Sequence, residues 1–122
     1  MSRPGPTLKI KLQIFCGDEI AMGPGKADLL EAIAREGSIS AAGRALGMSY
    51  RRSWLLVDTM NRCWSQSLVE TTHGGAEVTS FGNSVLADYR ALQGLASQAA
   101  ASGDWARLQA GLLSMPREHQ KA

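Results

Sequence analysis

Residues 37–54 read GSISAAGRALGMSYRRSW, a stretch in which two helices have to meet across a single glycine. Ser38 or Ser40 can cap a short helix that carries Ala41, Ala42, Ala45 and Leu46 and ends at Gly47. Ser49 is a good N-cap for the next helix, which the pattern carries to about Ser65. Its apolar stripe steps by four and three through Tyr50, Trp54, Val57, Met60 or Asn61, and Trp64. The first helix has Ala41-Ala42-Gly43 at its middle, small enough for another helix to cross closely. Gly47 stands where the tight turn needs a residue free of Cβ constraint.

The flanks add to this pair. From Leu8 to Phe15, LKIKLQIF places Leu8, Ile10, Leu12 and Ile14 on one face, which predicts a half-buried strand. Turn chemistry at residues 16–19 lets Ile20-Ala21-Met22 return as a short antiparallel strand. After Gly23-Pro24-Gly25 comes a helix with Leu29, Leu30, Ile33 and Ala34 on its apolar face and Gly37 as its C-cap. Residues 68–72 and 76–78 read as a hairpin around His73-Gly74-Gly75. Thr79 caps a long helix with a seam through Phe81, Val85, Tyr89, Leu92, Ala96 and Ala99, and a further piece runs from about Asp104 to Ser114. The predicted class is mainly α with small β: a winged helix-turn-helix with an N-terminal β-ribbon and a long C-terminal helix. It divides into a flexible arm (1–7), a DNA-binding and dimerisation domain (8–101) and a C-terminal helix and tail (102–122).

In such a motif the opening turn of the third helix enters the DNA major groove. Here that turn is Ser49-Tyr50-Arg51-Arg52. Arginine pairs with guanine through two hydrogen bonds and makes charge-assisted contacts with phosphate. At about 100° per residue, Arg51 and Arg52 project away from a stripe that starts at Tyr50. Arg44 is placed to touch the flanking backbone, and Ser38, Ser40 and Ser49 offer hydroxyls to it. The wing tip at His73, Gly74 and Gly75 can lie along a phosphate or the minor groove. The plainer alternatives are a solvated arginine face, a simple turn histidine, and Trp54 and Trp64 as core anchors.

The segments GSISAAGRALGMSYRRSWLLVDTMN and LVETTHGGAEVTSFGNSVLADY resemble the N-terminal DNA-binding domain of the ModE family of molybdate-responsive regulators. LysR-type regulators share a related pattern in SISAAGRALGMS. The matches are Ser49-Tyr50, Trp54, Met60-Asn61, Gly74-Gly75 and Thr79 followed by Gly82, and the resemblance covers about residues 8–100. It implies a homodimer joined through the N-terminal strands and the helix after the wing. Leu8, Ile10, Leu12, Val85, Tyr89, Leu92 and Ala96 would then form the interface, and the long helix becomes a dimerisation helix. Family members continue into oxyanion-binding domains, which this sequence does not reach, so direct molybdate sensing is not expected of it and a separate sensor protein is one alternative. Leu55 and Leu56 depart from the family pattern, as extra core or as an exposed patch for a protein partner.

Thirteen Lys and Arg against eleven Asp and Glu leave a net charge of +2, which compels no partner. The distribution says more: residues 37–57 hold three arginines and no acid. Enzyme signatures fail one by one. Gly23-Pro24-Gly25-Lys26 is followed by Ala27 where a phosphate loop needs Ser or Thr, and Gly47-Met48-Ser49 lacks the second glycine of a nucleophile elbow. Cys16 and Cys63 show no metal or redox spacing and read as buried or half-buried free thiols. No cofactor or metal is expected. No apolar run approaches the ~20 residues of a membrane span and MSRPGPTLK has no signal-peptide core, so the expected location is cytoplasmic.

Overall fold

The computed structural model describes residues 5–119. Residues 1–4 of the expected arm and 120–122 of the expected tail lie outside them. In chain order the elements are β1 (Ile14–Cys16), β2 (Glu19–Met22), α1 (Pro24–Glu36), α2 (Ile39–Ala45), α3 (Tyr50–Cys63), β3 (Val69–Thr72), β4 (Gly75–Val78) and α4 (Ser80–Ser97). A 3-10 turn (Gln98–Ala101) and α5 (Gly103–Ala110) follow. This is the winged helix-turn-helix order, with antiparallel ribbons β1-β2 and β3-β4.

The core gathers Met22, Leu29, Leu30, Ile33, Val57, Met60, Leu68 and Tyr89 from the first ribbon, α1, α3, the wing and α4. Burying one such side chain is worth roughly 1.5–3 kcal/mol. Pro24 opens α1, where its missing N–H costs nothing, and Gly37 ends it with its N–H on the Ile33 carbonyl at 2.8 Å. Ser38 caps α2, accepting from Ala41 N at 2.9 Å, so of the two candidate caps the first is used. Thr79 caps α4, accepting from Gly82 N at 2.9 Å. Gly47 adopts a φ of 71°, the left-handed conformation that the turn between α2 and α3 requires.

The predicted stripe of α3 is rotated. Its buried residues are Ser53, Val57 and Met60, with Trp64 half-buried, while Tyr50 and Trp54 are 67% and 38% exposed. The cause is the crossing of α2 over α3. A Cβ at Gly43 would collide with Ser53 Oγ, so the helices touch where each carries a small residue. Burying a hydroxyl there leaves nothing unpaired, because Ser53 Oγ donates to the Ser49 carbonyl at 3.0 Å.

The first strand is shorter than the alternation predicts. β2 has four residues before Gly23-Pro24 starts α1, and Ile14 opposite Met22 is the last pair. Residues 8–13 therefore have no strand beside them. Ala34 is exposed rather than on the buried face of α1, α5 stops at Ala110 rather than Ser114, and Ala99 lies in the 3-10 turn beyond α4. Cys16 is exposed and Cys63 half-buried.

Candidate nucleic-acid interface

The first turn of α3 is built by its own cap. Ser49 Oγ accepts from Arg52 N at 3.1 Å, which leaves the Arg51 and Arg52 side chains outside the helix and exposed. Arg44, in the last turn of α2, is exposed as well. Lys26 of α1 joins them: burial pushes its ammonium below the usual lysine range, and the nearby positive charge of Arg52 pushes in the same direction. Among the described residues, none of these four cations has a carboxylate within ion-pairing distance. The other arginines of α1, α3, α4 and α5 are all paired. Arg62 holds Glu19 at 2.8 Å and Asp58 at 2.9 Å, Arg90 holds Asp28 and Glu31, and Arg35 and Arg107 pair with Glu36 and Asp104. The arginines at the turn between α2 and α3 are therefore the ones that the helices leave without a carboxylate partner. Lys26 was not among the candidates from sequence, because nothing in its spacing reveals that α1 starts beside α3.

The wing is fixed against this surface from two sides. Asn61 Oδ1 accepts from Leu68 N at 2.9 Å and Val69 N at 3.1 Å, and its Nδ2 donates to the Val69 carbonyl at 3.0 Å. At the far end Ala76 N donates to the Gly37 carbonyl at 2.9 Å, and a Cβ at Gly75 would strike that same carbonyl. His73 and Gly74 form an exposed two-residue tip, with Gly74 at a φ of 92°. Gly75 itself is half-buried, so only two of the three wing candidates stand free. Ser38 spends its hydroxyl on the α2 cap, and Ser40 is half-buried beside a cleft that also borders Tyr50, Trp54, Thr71 and Gly74. Tyr50 and Trp54 meet edge to face along that cleft, ring centroids 6.1 Å apart. Trp54 is therefore a groove wall and not a core anchor, whereas Trp64 packs edge-on to Phe81 and donates to the Ala21 carbonyl at 3.1 Å.

The residues expected at a dimer interface divide in two. Val85 and Tyr89 are buried in the core of their own chain, and Tyr89 donates its hydroxyl to the Leu12 carbonyl at 2.8 Å. They are closed to a partner. Leu8, Ile10 and Leu92 are exposed, Leu12 and Ala96 half-buried, and Leu95 adds an exposed apolar side chain that the seam reading missed. A groove between residues 8–12 and α4 is lined by Leu8, Ile10, Leu12, Gln93 and Ala96.

The family model described as bacterial regulatory helix-turn-helix protein, lysR family, matches residues 26–83. The molybdenum-pterin-binding protein MopA of Rhodobacter capsulatus is 40% identical over 83 residues, covering 64% of this chain and 31% of MopA. The molybdenum transport protein ModE of Azotobacter vinelandii is 38% identical over 78 residues, covering 60% of this chain and 29% of that protein. The DNA-binding transcriptional dual regulator ModE of Escherichia coli K12 is 32% identical over 88 residues, again 31% of its length. The chain thus spans about a third of the curated relatives it matches. Among solved structures, the CbnR DBD–DNA complex superposes with a TM-score of 0.55 at 27% identity, over 70% of this chain and 95% of that one. Full-length CbnR, described as a LysR family transcriptional regulator, gives 0.52 at 26% identity, over 68% of this chain and 28% of that one.

Proposed function

We propose that the chain, whose residues 26–83 match the lysR-family helix-turn-helix model, is a transcriptional regulator that binds duplex DNA in a sequence-specific way as a homodimer. The observation that carries this reading is the set of exposed arginines without a carboxylate partner, Arg44, Arg51 and Arg52, at the turn between α2 and α3, with Lys26 near Arg52. A duplex presents phosphates on both sides of its major groove and guanine O6/N7 at the floor. Arg51 and Arg52 supply base and phosphate contacts, Arg44 and Lys26 flank them on the backbone, and the His73-Gly74 tip lies beside the adjacent groove. The structurally similar CbnR DBD was solved as a complex with DNA, which supports the DNA-binding reading. In a two-fold dimer the half-sites stand about one helical turn, ~34 Å, or a multiple of it apart. Regulation without catalysis, in the cytoplasm, completes the reading. Among the described residues no helix is long and apolar enough to cross a membrane.

The test is selection of random duplexes on the purified protein, followed by binding to the enriched site across a salt series. An enriched two-fold motif with affinity that falls steeply with salt is the expected result. No binding to any duplex at low salt contradicts it, and would favour a module that docks a protein partner.

A further inference from the structure

Leu55 is the one apolar side chain at the centre of the charged face of α3. At about 100° per residue it lies about 200° round the helix from Ser53, nearly opposite the buried line of Ser53, Val57 and Met60. It is 52% exposed, whereas the neighbouring Leu56 packs against the core. Arg51 stands one turn before it on one side and Arg52 three residues before it on the other, both without a carboxylate partner. One turn further on, the surface changes character. Asp58 accepts from Arg62 Nε at 2.9 Å, and Arg62 is also clamped by both oxygens of Glu19 at 2.8 and 2.9 Å. The part of α3 suited to an anionic duplex therefore runs from Ser49 to Leu55 and stops there.

A single leucine with free arginines on one side and the Asp58–Arg62 pair on the other is too small and too polar in its surroundings for an apolar protein interface. It does fit one methyl group on the floor of a major groove, and thymine is the base that presents one there. Resting on the DNA-binding reading above, we propose that Leu55 is a specificity-determining residue that selects a thymine by packing on its C5-methyl group. Arg51 and Leu55 are four residues apart, about 6 Å along the helix axis. The selected thymine then falls one to two base pairs from the base that Arg51 reads, at ~3.4 Å per base pair.

The experiment uses the duplex enriched from random sequence on the wild-type chain. Each thymine of a half-site is replaced in turn by uracil, which removes the methyl group and leaves every hydrogen-bonding edge intact. The expected result is one position per half-site at which uracil weakens wild-type binding about three- to five-fold, the worth of one buried methyl group. Leu55→Ala should bind thymine and uracil duplexes within a factor of two of each other, while keeping its salt dependence. Enrichment of a site without a fixed thymine, indifference of the wild type to uracil, or an undiminished uracil penalty in Leu55→Ala overturns the assignment. The DNA-binding reading survives all three of those results, and falls only if no duplex is enriched.

Discussion

Asn61 ties the wing to α3 with three hydrogen bonds. Its amide satisfies two backbone N–H groups and one carbonyl at the start of β3, and so fixes the wing to the last turns of α3. Asn61→Ala leaves those groups without their partner in a half-buried site, at a cost of about 1–3 kcal/mol. Thermal melting should show the loss, and Asn61→Asp should recover only the two bonds in which the side chain accepts. An unchanged melting temperature in Asn61→Ala would contradict this role. The sequence pattern left position 61 open between Met60 and Asn61, because both fall near the apolar stripe. The distinction depends on backbone groups seven and eight residues away, which periodicity does not register. Tyr50 and Trp54 are the opposite case. Their size and spacing mark them as core, yet the α2 crossing reserves the interior for Ser53, since a large side chain there would run into Gly43.

At the scale of elements, caps and turns were the most legible part of the chain. Ser49, Thr79, Gly37 and Gly47 act through bonds within a few residues of themselves, so local chemistry suffices to place them. The eight-residue strand was not legible. A strand is defined by its neighbour, and the neighbour of residues 8–13 is missing because Pro24 turns the chain into α1. The ribbon that does form is tied to α3 by Glu19 and Arg62. The Arg62 guanidinium holds the Glu19 carboxyl below the usual carboxylate range, mainly through their hydrogen bonds. A carboxylate with a lowered folded value supports the fold above its unfolded value, and that support fades as pH falls through the lowered one. In Arg62→Ala the Glu19 titration followed by NMR should move up toward the ordinary glutamate value. A midpoint that stays in place would show that Arg62 is not its cause.

The whole molecule leaves two surfaces unsatisfied. One is the cation cluster at the start of α3, the other the apolar groove between residues 8–12 and α4. The first calls for an anionic duplex; for the second we propose another copy of the chain, since Leu8 and Ile10 of the groove are exposed and α4 exposes Leu92 and Leu95 as well. Leu92→Asp/Leu95→Asp should therefore convert a species of twice the 13.0 kDa chain mass to one of 13.0 kDa in sedimentation equilibrium. Tyr89 stays buried in both, so folding is preserved. A wild-type chain that sediments as a monomer would contradict this use of the groove.

DNA binding through Arg51 and Arg52 is tested by the salt-dependent affinity of wild type and Arg51→Ala/Arg52→Ala for the selected duplex. These side chains are exposed and unpaired, so their removal leaves the fold intact. The account predicts a loss of at least about thirty-fold in affinity and a salt slope shallower by about one to two. Equal affinity and an equal slope for the two proteins would contradict it.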